Sequence, residues 1–325
     1  MEFFNPNSNV NFMGIRRFTV AVSLVLVLVS IISLATRGLN LALDFTGGTL
    51  VEVAYEQPTE QASVTNALEA AGFKGAVVQR FDSRNFSIRL APEAAVAEQV
   101  AEDMEESSLD AANTRTAAAV QQALTADGAK LDIKRSEYVG PQVGAELAYN
   151  GVVAVLVVLT GIFIYIMMRF EWKFSAAVVA GELHDVIITL GFFSLTGMDF
   201  DLTVLAAVLA VDGYSVNDKI VVFDRVRELF RSSRKAAPIE ILNRAVNDTL
   251  SRTIMTSLTT LLTVVALYLF GGPTVEGFSL ALIIGIVIGT LSSIFFACPV
   301  LLGLGVNKQD LMPKARDESD LDRRP

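Results

Sequence analysis

Cysteine is almost missing from this 325-residue chain. Cys298 stands alone, so no internal disulfide is available, and a domain outside the cytoplasm must hold by its own core. Charge is scarce too, at 19% of residues, and it leans acidic, with a net charge of −9. A chain short of Lys and Arg is not built to neutralise phosphates, which excludes a nucleic-acid binder. Apolar residues take up the remainder: 52% are hydrophobic and the mean hydropathy is +0.48. That excess excludes global disorder and points to a polytopic membrane protein.

Apolar runs of about 20 residues, the length that crosses ~30 Å of hydrocarbon, occur six times. They cover 18–35, 150–168, 174–195, 202–223, 253–270 and 277–302. The first follows Arg16 and Arg17 and ends in the small residues Ser33 and Ala35, as a cleavable leader does. It is longer than the ~7 to 15 residues of a leader's apolar region, so it reads as an uncleaved anchor.

Basic residues near span ends set orientation. Arg16 and Arg17 precede the first span, Arg169 and Lys173 lie between the second and third, and seven basic residues from Arg225 to Arg252 lie between the fourth and fifth. The turns 196–201 and 271–276 have no Lys or Arg. Both termini, 1–17 and 306–325, are therefore expected in the cytoplasm, the second as a short charged tail. Trp172, between Arg169 and Lys173, reads as an interfacial anchor. The stretch 224–252 reads as an interfacial helix and loop, with Val226, Leu229 and Phe230 on one side and arginines around them.

The long exterior insertion, 36–149, has nine basic and seventeen acidic residues. Residues 50–55 alternate as a strand, and Thr59 is a candidate N-cap for a helix to Ala71, ended by Gly72. Residues 76–81 and 86–90 read as paired strands, a second helix runs to about Ala126, and 130–139 reads as a last strand. The order β-α-β-β-α-β predicts a small ferredoxin-like α+β domain. Within it, 93–110 has seven acidic and no basic residues, a solvated helix or insertion.

Ionisable side chains inside the spans are confined to the third and fourth: Glu182, His184 and Asp185, then Asp212, Asp218 and Lys219. A charge at mid-bilayer costs at least ~2.5 to 3.5 kcal/mol on insertion scales, so such residues face a bundle interior or a water-filled path. Two readings stand: structural pairs that neutralise each other, or a proton relay. At about 100° per residue, Asp212 and Lys219 lie within about 20° of each other, two turns apart, which makes them candidate partners through water or a third residue, and Asp218 points about 120° away from Asp212. Arg252, at the start of the fifth span, is within reach of Asp218 in the inner half of the membrane. A carboxylate that swaps between an arginine and a proton is the simplest relay element. Gly277, Gly285 and Gly289, with Thr290, Ser292 and Ser293, give the sixth span small surfaces for close helix packing.

Several stretches resemble one family. Leu43-Asp44-Phe45-Thr46-Gly47-Gly48-Thr49 follows the first span, and Val139-Gly140-Pro141-Gln142-Val143-Gly144 precedes the second. Arg169-Phe170-Glu171-Trp172, His184-Asp185-Val186-Ile187 and Gly213-Tyr214-Ser215-Val216-Asn217-Asp218 come next, the last running into Val222-Phe223-Asp224-Arg225. Arg252-Thr253 and Tyr268-Leu269-Phe270-Gly271-Gly272-Pro273 complete the set. In this order and spacing, over roughly 11–305, the chain resembles the SecF family, the smaller membrane subunit of the SecD and SecF complex of bacterial protein export.

The resemblance implies a six-helix membrane bundle, half of a resistance-nodulation-division type fold, completed by SecD. It implies a bacterial inner-membrane location with a large periplasmic domain. The implied role is to use the proton motive force, or sodium in some members, to help draw preproteins from SecYEG after SecA has driven them in. YajC and YidC are further implied partners, alongside membrane lipids and the preprotein. No enzymatic activity, metal or organic cofactor is implied. Asp218 falls on the family's proton-path aspartate and Arg252 on its partnering arginine. Asp44, Phe45, Thr46, Gly47 and Gly48 fall on the coupling motif.

Glu182 and Asp212 depart from the pattern, standing where apolar residues are usual, as does Lys219, where Ser or Thr is usual; Ala42 replaces a usual Gly. Lys219 is expected to compensate Asp212 in part. Two other readings are weaker. A half-size exporter of lipid or small molecules in the same superfamily would need a second half. An intramembrane aspartyl protease using Asp185 with Asp212 or Asp218 needs a Gly-x-Gly-Asp context, whereas Asp212 here precedes Gly213.

Overall fold

A computed structural model describes residues 10–91, 106–126, 128–233 and 236–311. In chain order the first elements are α1 (Arg16–Arg37), β1 (Asn40–Leu41), α2 (Leu43–Thr46), β2 (Gly48–Tyr55) and α3 (Gln61–Ala70). Then come β3 (Val77–Arg80), β4 (Asn85–Leu90), α4 (Glu106–Thr125) and β5 (Leu131–Val139). The remainder is helical apart from β6 (Asp199–Phe200): α5 (Pro141–Arg169), α6 (Trp172–Thr196), α7 (Leu202–Ser232), α8 (Pro238–Phe270), α9 (Glu276–Ser292) and α10 (Cys298–Gly303). Two compact units result, one from 40–155 with 199–205 and the other from the remaining described residues.

The helical unit is built from long apolar segments. Five of them are long and apolar enough to cross a membrane: Phe12–Arg37, Pro141–Arg169, Trp172–Thr196, Pro238–Phe270 and Pro273–Gly303. The fourth expected span lies in α7, whose 31 residues suffice in length at ~1.5 Å per residue. Asp212, Asp218 and Lys219 lower its hydropathy, and it falls outside that set. α1 keeps Phe18, Leu24 and Leu28 exposed, and α5 keeps Leu156, Val157 and Met168 exposed, as lipid-facing helices do. α6 is the most enclosed of the five.

Helix ends differ from the apolar runs because helices continue past the hydrocarbon. α5 begins nine residues before Asn150, at Pro141, whose missing N–H costs nothing in a first turn. The expected interfacial helix over 224–247 is not a separate element. Its first part extends α7 to Ser232, and its second opens α8 at Pro238, where the Ala237 amide donates to Glu240 Oε2 at 3.3 Å. Val226, Leu229 and Phe230 pack into a core with Phe174, Phe223, Leu242 and Val246 instead of facing headgroups. An apolar stripe says only that a face is buried, and here neighbouring helices cover it. The sixth span is interrupted by a π-helical turn over Ser293–Ala297, just before Pro299, whose ring cannot supply a helical N–H.

In the other unit, β3, β4, β2 and β5 lie side by side in that order, every neighbouring pair antiparallel. β2 alternates as its sequence does, burying Val51, Val53 and Tyr55 on one face. They meet Val64 and Leu68 of α3, Phe86 and Ile88 of β4, and Val120 and Leu124 of α4. Thr59 is not the N-cap: α3 starts one turn position later, behind Glu60, and the Thr59 hydroxyl donates to Gln57 O at 3.1 Å. Most of the acidic run 93–110 lies outside the described residues.

The glycine pair ahead of β2 has a steric cause. Gly48 has φ +123°, and a Cβ there would sit 2.2 Å from the Leu90 carbonyl oxygen, so neither the backbone angle nor the space admits a side chain. Gly48→Ala is expected to cost at least about 2 kcal/mol through backbone strain, seen as a lower unfolding midpoint of the full chain in detergent. An unchanged midpoint would contradict this reading.

Candidate functional site

The six ionisable residues of the expected third and fourth spans lie in the helical unit, all buried. Their centre is Lys219, which has no exposed surface. Its ammonium donates to Glu182 Oε1 at 2.6 Å, Asp185 Oδ2 at 2.7 Å and Ser215 Oγ at 2.6 Å, which uses all three of its protons. Room for the side chain comes from Gly181, where a Cβ would lie 2.5 Å from Lys219 Cε. Gly289 does the same for Ser215, its own Cβ position being 2.7 Å from the Ser215 hydroxyl.

Asp185 is the most fully satisfied acid. Its Oδ2 accepts from Lys219, from Ser215 Oγ at 2.6 Å and from Ser292 Oγ at 2.7 Å, and its Oδ1 faces His184 Nδ1 at 2.8 Å. The His184 ring stacks on Phe296, centroids 4.3 Å apart. One carboxylate thus joins α6, α7 and α9. Ser215 and Ser292 were not among the residues expected to do chemistry. Ser215 lies four residues before Lys219, one helical turn away, and that spacing is the signal for a shared partner.

Lys219 makes no direct ion pair with Asp212: it bonds Glu182, which stands next to Asp212, and reaches Asp212 only through its field. Seven residues separate them, about 10 Å along the helix axis, whereas α6 brings two carboxylates to the ammonium directly. Both Asp212 oxygens and Glu182 Oε2 are buried without a hydrogen-bond partner among the described residues. The two carboxyl groups face each other.

Asp218 stands apart. Ser257 Oγ donates to its Oδ2 over a long 3.5 Å, and Ser257 in turn meets Thr290 Oγ1 at 2.7 Å and the Tyr214 hydroxyl at 3.3 Å. This polar thread links α7, α8 and α9. Arg252 forms no ion pair with Asp218 among the described residues. Its side chain is exposed, and it acts on Asp218 only through its field. The expected contact is therefore replaced by a serine. Position 252 lies on the outer face of α8, while Ser257 faces inward.

The coupling-motif residues lie in the other unit. Asp44 Oδ2 accepts the Leu202 amide at 3.0 Å, placing a negative charge on the first turn of α7. Phe45 stacks on Phe200 with centroids 6.1 Å apart, and the Ala42 amide donates to Phe200 O at 2.9 Å beside the parallel β1–β6 pair. Thr46 Oγ1 donates to Ala42 O at 3.1 Å, closing the short α2 turn. Gly47, at φ +69°, ends that turn and leads into Gly48.

Comparison with known proteins now adds to this geometry. Residues 118–307 match the family described as protein export membrane protein SecD/SecF, C-terminal, and residues 32–59 match the SecD/SecF GG motif. The chain is 47% identical to protein translocase subunit SecF of Pseudomonas aeruginosa, over 96% of this chain and 97% of that protein. It is 42% identical to protein translocase subunit SecF of Vibrio alginolyticus, over 96% and 95%. The crystal structure of SecDF from Thermus thermophilus superimposes with a TM-score of 0.80 at 36% identity, covering 93% of this chain and 40% of the longer one. The chain thus spans about two fifths of that SecDF protein.

Truncating Lys219 would leave Glu182 and Asp185 as buried charges with no cation beside them. Lys219→Met is expected to cost about 3–5 kcal/mol, measured as the unfolding free energy of the full chain in mixed micelles. A cost below about 1 kcal/mol would mean the acids do not depend on it.

Proposed function

This chain belongs to the SecF family of protein translocase subunits, a Sec-pathway accessory component of a multi-pass membrane system, and from that premise we propose that it couples the proton motive force to preprotein export. In this reading it pairs with SecD, and the complex acts on SecYEG after SecA has driven the preprotein in, with YajC and YidC as neighbours. Six spans cross the bacterial inner membrane, α7 being one of them in spite of its charges. Both termini are cytoplasmic, and the β-α-β-β-α-β unit is a periplasmic ferredoxin-like domain. The antiparallel strand order of that unit supports the last point.

Asp218 carries the ion-coupling reading. It is 3% exposed, and among the described residues it forms no ion pair and holds a single hydrogen bond of 3.5 Å. A carboxylate so weakly held gains or loses a proton with little else to rearrange, unlike Asp185 with its four donors. Its serine and threonine neighbours on α8 and α9 are neutral groups able to pass a proton. Arg252 enters as a charge whose distance from Asp218 changes during the cycle, and Asp44 through Gly48 as the segment linking that change to the periplasmic domain. Sodium is the alternative coupling ion.

Asp218→Asn is expected to abolish stimulation of export by the proton gradient in proteoliposomes, while SecD still copurifies. Arg252→Met should impair the same step, and the double variant should be no worse than either alone. Normal gradient-dependent export with Asp218→Asn contradicts the assignment, and additive losses would separate the two residues.

A further inference from the structure

The Lys219 network leaves one part of itself unfinished. Lys219 spends its protons on Glu182, Asp185 and Ser215, and Asp185 is saturated by its neighbours. What remains is Glu182 Oε2 and both oxygens of Asp212, three acceptor atoms with no donor among the described residues. Glu182 is 1% exposed and Asp212 2%, so neither carboxyl faces bulk water. Two ionised carboxylates set face to face offer only acceptors and repel each other. A single proton turns the repulsion into a hydrogen bond.

We propose that Asp212 holds that proton and donates it to Glu182 Oε2, making a proton-binding carboxyl pair between α6 and α7 that is separate from Asp218. The choice of Asp212 follows from the partners. Glu182 Oε1 already receives a 2.6 Å bond from the Lys219 ammonium, which favours the negative charge on Glu182, whereas Asp212 has no donor among the described residues. The proton comes from hydronium of the surrounding water: one hydronium O–H breaks, an O–H forms on Asp212, and neutral water is left. Among the described residues no three His, Cys, Asp or Glu side chains are disposed to hold a metal ion.

The other titratable groups leave the proton there. His184 has its Nδ1 committed to Asp185 and its ring stacked on Phe296, so it is engaged away from the Glu182–Asp212 pair. Asp218 lies on another face of α7 with Ser257. α1 and α9, which pack against α6, bring no charge to this depth: the ionisable residues of α1 are Arg16, Arg17 and Arg37 at its ends, and that of α9 is Glu276 at its start. On α8, Glu240, Arg244, Asp248 and Arg252 all fall in its first half. With Asp212 protonated, one lysine faces two carboxylates; with it ionised, one lysine faces three.

This inference does not rest on the ion-coupling reading, and its test separates the two. The full-length Asp218→Asn protein in lipid nanodiscs at neutral pH is examined by infrared spectroscopy, unlabelled and with carboxyl-¹³C aspartate or glutamate. The expected result is a C=O stretch of a buried protonated carboxylic acid that shifts with labelled aspartate, stays in place with labelled glutamate, and vanishes in Asp218→Asn/Asp212→Asn. The labelling readout needs no change at Asp212, so poor folding of the double variant does not obscure it. Absence of the band, or a shift with glutamate alone, overturns the proposal. Loss of the band when sodium replaces potassium at constant pH also overturns it, because the site then takes a cation.

Discussion

The helical unit depends on one fully buried ammonium. Removing a lysine from water is among the costliest acts in a membrane interior, tolerable only when every proton finds an acceptor. Lys219 meets that condition through a carboxylate pair on α6 and a hydroxyl one turn back on its own helix. Asp185 then passes the constraint on to α9 through Ser292. Three helices are held in register by polar contacts with fixed lengths and directions, which apolar packing between lipid-like surfaces does not specify.

That arrangement also explains why the acids differ in character. Asp185 is enclosed by donors and belongs to the frame. Glu182 is half satisfied, Asp212 is bare, and Asp218 hangs from a single serine. The order runs from fully to barely hydrogen-bonded within a few turns of two helices. The small residues that looked like packing surface serve the same end: Gly181 admits the lysine, Gly289 admits Ser215, and Ser292 donates where a larger residue would only fill space.

Much of this was legible in the chain. Apolar runs located the long helices, and the alternation in 50–55, with the strand-like stretches 76–81, 86–90 and 130–139, located the strands of the other unit. Helix limits were less legible, because α5 and α8 extend well beyond the apolar runs that reveal them. The stripe of Val226, Leu229 and Phe230 showed a buried face but not what buries it. The concentration of charge on the third and fourth spans marked the site, yet its pairings were not readable. Angles around one helix relate residues of that helix only, so the spacing of Asp212 and Lys219 did not reveal the direct partners of the ammonium, which come from α6. The same limit put Arg252 beside Asp218, where Ser257 stands instead.

The most direct test of this account is a double-mutant cycle on stability, comparing Lys219→Met, Asp185→Asn and the combined variant in reversible unfolding of the full chain in mixed micelles. If the ammonium and the carboxylate form one network, the combined loss falls short of the sum of the single losses by at least about 1 kcal/mol. Losses that add to within about 0.5 kcal/mol would mean that the two residues stabilise the protein independently, and the lysine would not be the centre of the structure.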